Sequence, residues 1–363
     1  MSYHLGTHDR SARLLRLAIL LPLVLSFFAI PSITASASPA AKNPPYTIGV
    51  SNNLIGNGWR DEMVCSIKAQ AKASGVVRPG GVYVLQNQLD TAKQIQQIRQ
   101  LISQRVDAII IDPNHPTALN FAIRQAVSRG ITVVIVDQII NINAPNVYQA
   151  ANDQVAYGRQ GMQWLVNRLH GRGNIAILNG IAGAPADTDR IKGQNQVLRR
   201  YPNIKVVKRV WTDWQYPKGG QQMANILNSG VRIDGVWTSG IDYTVVNAFR
   251  NARRPFVPIV GADNNEFVRQ LVRFRRQGLV GAAVTNPPPI GGVGAAIALR
   301  VLRGQSAPKI TLLKPQVWAN TNRWGLLQLR THHLPSRAPS YGAAWNVPGF
   351  TTYSRAQLFS CTS

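Results

Sequence analysis

The chain of 363 residues carries 40 Lys and Arg against 15 Asp and Glu, a net charge of +25, with 45% hydrophobic residues and two cysteines. That apolar fraction is ample for a core and excludes a disordered chain. Two cysteines exclude a disulfide-dense small domain and a Cys-rich zinc or iron–sulfur protein.

Residues 1–37 read as a secretory signal. Arg10, Arg13 and Arg16 form a basic leader, Leu17 to Ile30 an apolar stretch, and Ala35-Ser36-Ala37 a small-residue cleavage site. The apolar stretch is shorter than the roughly 18 residues of a membrane span, and no later stretch reaches that length. No cysteine follows it to carry a lipid. The expected product is a soluble protein, periplasmic or extracellular. Its basic residues are scattered (Arg199-Arg200, Arg253-Arg254, Arg275-Arg276). They read as a solvated surface and not as a nucleic-acid site.

From Tyr46 onward short β-branched or aromatic runs alternate with helix-spaced segments. The runs are Tyr46–Ser51, Val82–Gln86, Ala108–Ile111, Thr132–Val136, Val147–Ala150, Asn174–Leu178, Ile204–Trp211, Gly235–Thr238, Pro258–Val260 and Leu279–Val284. Between them lie helical patterns such as Ile95, Ile98, Leu101 and Ile102, which follow the N-cap candidate Asp90. Repeated strand–helix–strand order implies right-handed crossovers and parallel sheets covered on both faces. The nearly unbroken apolar runs fit strands buried on both sides. Ten strands exceed one ordinary sheet of about six. The expected fold class is therefore α/β, with two doubly wound parallel-sheet lobes joined by a multi-strand hinge. The expected N-terminal lobe is residues 46–150 plus about 287–315. The C-terminal lobe is 151–286 plus about 316–325, and 326–363 form an extension.

The strands end in polar residues, among them Asn52, Asp112, Asp137, Asn179, Ser239, Asp263 and Asn286. Ligands of open parallel sheets bind outside the carboxyl ends of the strands. Two lobes facing each other through those edges would enclose a polar cleft. Each residue taken singly also reads as a cap of the helix that follows it.

The segments IGVSNNLIGNGWRDEM (48–63), VDAIIIDP (106–113), ITVVIVDQ (131–138), ANDQVAYG (151–158), NGIAGAPADTDRIKG (179–193), IVGADNNE (259–266) and AAVTNPPP (282–289) resemble, in order, the type I periplasmic sugar-binding proteins of the ribose- and galactofuranose-binding kind. The resemblance implies a monosaccharide held between the lobes and delivered by a monomeric carrier to the membrane permease of an ABC transporter. It implies no cofactor, no metal and no catalysis. Residue by residue, it implies stacking walls at Trp59 and Trp214, with Asn57 and Arg60 beside the first. It implies polar ligand contacts at Asp137, Arg190, Asp263 and Asn286. Asp112 and Asp242 are further cleft candidates. Gln138 stands where the family usually has Arg, and Ser239-Gly240-Ile241-Asp242 replaces an Asn-Asp pair. Both changes argue against ribose, and the GNGWR sequence (56–60) leans toward the galactofuranose-like branch, a hexose or another polyol.

Cys65 falls in the first helix and Cys361 near the C-terminus. In an exported protein a Cys65–Cys361 bond would staple the tail across the first lobe; the alternative is two free thiols. Rival functions are a sensory binder that serves a membrane receptor, a transcription repressor on the same core, and an α/β enzyme. The signal segment argues against a repressor. Against an enzyme, Gly291-Gly292-Val293-Gly294 is a poor dinucleotide loop, there is no G-x-S-x-G elbow, and the histidines lack metal spacing.

Overall fold

Strand runs such as AIII and TVVIVD cannot leave either face in water, so helices must cover both sides of the sheet they join. In the computed structural model, which describes residues 41–332 and 338–361, they do so twice. The expected signal segment lies outside the described residues. The first lobe contains β1 (Tyr46–Asn52), α1 (Gly58–Ala73), β2 (Val77–Gln86), α2 (Thr91–Ser103), β3 (Ala108–Ile111), α3 (Asn120–Ser128), β4 (Thr132–Asp137) and β5 (Val147–Asn152). The second contains α4 (Gln154–Arg168), β6 (Gly173–Asn179), α5 (Pro185–Leu198), β7 (Ile204–Trp211), α6 (Tyr216–Asn228), β8 (Gly235–Thr238), α7 (Asp242–Asn251), β9 (Ile259–Ala262), α8 (Asn265–Arg273) and β10 (Gly281–Val284). The chain then returns to the first lobe with α9 (Ile290–Leu302) and β11 (Ile310–Leu313). It goes back to the second with β12 (Val317–Ala319) and α10 (Arg323–His332), and ends in α11 (Arg355–Phe359).

The two sheets have strand orders β11-β5-β4-β3-β1-β2 and β12-β10-β9-β8-β6-β7. The five leading strands of each lobe follow one topology, with the order reversing between β1 and β3 and again between β6 and β8. Those are the switch points at which a doubly wound sheet opens a crevice. All these pairings are parallel except β10 with β12. The sequence reading missed β11, which is half exposed and not a buried run, and β12, which has only three residues. Each extends a sheet edge directly beside a crossover between lobes.

Each sheet carries a core on both faces. In the first lobe Ile67, Val134, Val293 and Ala298 pack on one face, and Ile98, Leu101, Ile109 and Ile123 on the other. In the second, Met223, Val245, Phe249 and Phe267 oppose Tyr157, Leu165, Trp237 and Val260. Trp237 is fully buried, as expected of a strand residue, whereas Trp211 is 37% exposed on the edge strand β7. Asp90 caps α2 by accepting from Lys93 N at 2.9 Å.

The tail makes a fourth link between the lobes. Asn265 N donates to Tyr341 O (2.7 Å), Glu266 N to Pro339 O (3.1 Å) and Ala343 N to Asp263 O (2.8 Å), which fixes residues 339–343 to the second lobe. Gly342 N donates to Glu62 Oε2 on α1 at 2.7 Å. Gln70 of α1 then exchanges hydrogen bonds with Thr352 at 2.9 and 3.1 Å. α11 packs Leu358 and Phe359 against Cys65 and Ala69. This packing brings Cys361 to Cys65 with a Cα–Cα separation of 5.4 Å, inside the range a disulfide requires.

Candidate functional site

The carboxyl ends of both sheets face one another, and a pocket lies between them, with wall residues from both lobes. The loop after β1 supplies Leu54, Asn57, Trp59 and Arg60, and Asp137 comes from the end of β4. The second lobe supplies Ala186, Arg190, Trp214, Tyr216, Ser239 and Asn264. Asn286 stands on the β10-to-α9 crossover.

Asn57 caps α1: its Oδ1 accepts from Trp59 N at 3.0 Å and Arg60 N at 3.3 Å. Its Nδ2 crosses the cleft to Trp214 O at 3.0 Å. The cap fixes the first turn, so Trp59 is presented at the rim. Trp59 is half-buried, and its Nε1 donates to Asn286 O at 2.6 Å. On the facing rim Trp214 adopts a left-handed backbone, φ 51°, and donates from Nε1 to Ser239 Oγ at 3.2 Å. A side chain on Gly180 would collide with its indole ring, so glycine there makes room for the wall.

Arg60 is 4% exposed and bears two carboxylates on one nitrogen. Its Nη1 donates to Asp137 Oδ2 at 2.9 Å and lies 2.5 Å from Asp112 Oδ2. Arg190 is equally buried but bonds neutral oxygens: Nε donates to Gln154 Oε1 at 2.8 Å and Nη1 to Ser239 Oγ at 2.9 Å. Its guanidinium lies 4.1 Å from the centre of the Tyr157 ring, a favourable cation–π position.

A model of the periplasmic binding protein domain matches residues 48–306. The chain belongs to that family. A xylitol-binding protein of Mycolicibacterium smegmatis is 34% identical over 221 residues, 60% of this chain and 62% of that protein. A galactofuranose-binding protein of Escherichia coli is 24% identical over 80% of this chain and 92% of that protein. Among solved structures, an arabinose ABC transporter's periplasmic binding protein from Shewanella, bound to arabinofuranose, is 28% identical. It covers 79% of this chain and 99% of that one, with a TM-score of 0.69.

Within this periplasmic binding protein, seven of the ten expected contact residues line the pocket: Asn57, Trp59, Arg60, Asp137, Arg190, Trp214 and Asn286. Asp112, Asp242 and Asp263 do not stand in its wall. Asp112, 1% exposed, sits behind Arg60 and accepts from Gln138 Nε2 at 3.0 Å. Asp242 is fully buried at the start of α7, bonded to the side chains of Thr238 and Asn264. Asp263 points into the hinge, where its Oδ1 accepts from Asn286 N at 2.8 Å. In all three, the polar end of the strand serves the supporting layer.

Two residues that the sequence reading did not select join the lobes. Gln154 Nε2 donates to Asp137 Oδ1 at 3.2 Å and to Asn286 Oδ1 at 3.1 Å, while its Oε1 receives Arg190. Gln138, read as a departure from the family pattern, accepts from Ala186 N at 3.1 Å across the cleft. A glutamine at a helix start gives no signal of such a role; only its burial, 4% exposed for Gln154, reveals it.

The supporting carboxyls are pushed upward by loss of water. Burial raises Asp242 to about 7 against opposing backbone N–H bonds from Ala262 and Gly240. It raises Asp263 to about 6 against the Asn286 N–H. Asp112 rises to about 7 through burial, with the charge of Asp137 adding to it and Arg60 opposing. Asp263 Oδ2 is buried without a hydrogen-bond partner among the described residues, which favours the protonated form.

Proposed function

We propose that the protein captures an uncharged monosaccharide, or a sugar alcohol of similar size, between its lobes and delivers it unaltered to an ABC importer. One observation carries the reading. Half-buried indoles, Trp59 and Trp214, stand on opposite rims of one pocket whose other walls are Arg60, Asp137 and Arg190. Indole faces suit the C–H faces of a sugar ring. Charged groups strengthen hydroxyl hydrogen bonds about twofold over neutral ones. Arg60 is already committed to two carboxylates, so the pocket suits a neutral polyol better than a sugar phosphate. The names of the relatives, binders of xylitol and galactofuranose, support the same ligand class.

Closure is a hinge motion about the crossovers at residues 153, 286–289 and 314–316. Ligand contacts made to both rims only in the closed form shift the population toward it. The closed carrier, a monomer, then docks on a membrane permease. Export through residues 1–37 places it in the periplasm or outside the cell, where Cys65 and Cys361 form a disulfide.

Titration calorimetry against pentoses, hexoses and their alcohols tests the reading. One ligand should bind per chain, and Asp137→Ala or Arg190→Ala should weaken binding by about 2–5 kcal/mol, the cost of stranding a buried partner. Conversion of the bound sugar, or affinity for none of the panel, would refute it.

A further inference from the structure

Of the 40 Lys and Arg only Arg60 and Arg190 stand in the pocket wall, and the fold gathers three arginine pairs at one place away from it. In a parallel sheet every helix-to-strand loop lies at the amino ends of the strands, opposite the ligand cleft. In the second lobe these loops carry Arg199-Arg200 before β7, Arg253-Arg254 before β9 and Arg275-Arg276 before β10, all exposed. The carboxylate there, Asp234, is taken up by Arg232 Nε at 3.0 Å and Asn174 N at 2.8 Å. The first lobe places single arginines at its corresponding end, such as Arg105 and Arg129. It balances Lys42 with Asp107 at 3.4 Å. Pairs that the sequence scatters over some eighty residues thus share one end of one lobe.

A second feature adjoins them. β12 runs antiparallel to β10, so the chain leaves it at the same end. Arg275 Nε donates to Asn320 O at 2.9 Å, which ties the start of α10 to the arginine loops. On that first stretch of α10, Trp324 is 50% exposed and Leu327 56%. Arg168, Arg275 and Arg276 border a shallow depression with Thr321 beside them.

We infer that the arginine-rich end of the second lobe is a docking face for an anionic lipid surface. Basic side chains spread over a broad rim, with a tryptophan and a leucine at its margin, match headgroup phosphates flanked by the headgroup–acyl boundary. A groove with successive stacking aromatics, which a nucleic-acid strand would need, is not what the rim presents. Because this end lies away from the cleft, a docked carrier keeps its sugar site open while it is held near the membrane. The inference does not rest on the ligand proposed above.

Flotation of the exported protein, residues 38–363, with vesicles tests it. Vesicles of phosphatidylcholine are compared with vesicles containing roughly one third phosphatidylglycerol. Binding should require the anionic lipid and be lost on raising salt from about 0.05 M to about 0.5 M. The triple variant Arg168→Gln/Arg275→Gln/Arg276→Gln should bind at least about tenfold more weakly, and Trp324→Ala severalfold. The equal-charge control Arg105→Gln/Arg129→Gln/Arg303→Gln, on the first lobe, should bind as the parent does. Equal losses in the two triple variants, or equal binding to both vesicles, would overturn the inference. So would retention on heparin without any binding to the anionic vesicles. Sugar calorimetry on the same variants should be unchanged, so failure here leaves the ligand reading intact.

Discussion

The two lobes share one topology yet handle charge in opposite ways. The first lobe pairs its cation internally, with Arg60 held between Asp112 and Asp137. The second leaves Arg190 on neutral oxygens and buries Asp242 and Asp263 without direct contact to a guanidinium. The first lobe therefore presents a preassembled, self-compensated wall. The second presents a cation that still has capacity for a ligand, backed by carboxyls that can take up protons. A repeated fold fixes where strand ends meet the cleft but not how their charges are balanced.

The largest expected effect separates the two arginines. Arg60→Ala strands two buried carboxylates and should cost about 3–5 kcal/mol of stability in denaturant unfolding. Arg190→Ala strands only neutral partners and should cost about 1–3 kcal/mol, with its main effect on sugar affinity. Equal stability losses would break the contrast. Next, Cys65→Ser should lower stability by about 2–4 kcal/mol if the tail is covalently closed on the first lobe; parental stability would show the pair to be unbonded.

The remaining contrast is in pH dependence. Asp242 and Asp263 titrate near 7 and 6 in the fold, against about 4 in an unfolded chain. The fold thus holds protons that the unfolded chain has released. Their stabilisation is complete below about pH 4 and declines as pH rises through 6 to 7. The melting temperature should be several degrees higher at pH 5 than at pH 8, and Asp242→Asn should flatten that profile. An unchanged slope in Asp242→Asn would shift the titration to the first lobe's Asp112.

Much of this was legible in the chain. Strands β1 to β10 and the cap at Asp90 follow from local patterns, period and capping chemistry, whereas the paired indoles came only through the family resemblance. The hinge strands β11 and β12 were not legible: β11, though as long as β3, is half exposed and not a buried apolar run, and β12 has only three residues. Trp211 is partly exposed because it lies on an edge strand, and edge position is set by strand order, which no local window contains.

The amino-acid sequence by itself determined that two α/β halves would meet through polar strand ends. Alternating burial and capping are properties of neighbouring residues. Only the tertiary structure decided which of those polar ends line the pocket. Asp137 reaches the pocket through a left-handed backbone, φ 66°, while Asp112, Asp242 and Asp263 turn back into the supporting layer. The direction of a strand-end side chain depends on the loops and the opposite lobe packed against it. The same holds for the basic surface: parallel strands collect distant loops at one end, and so turn scattered arginines into a single face.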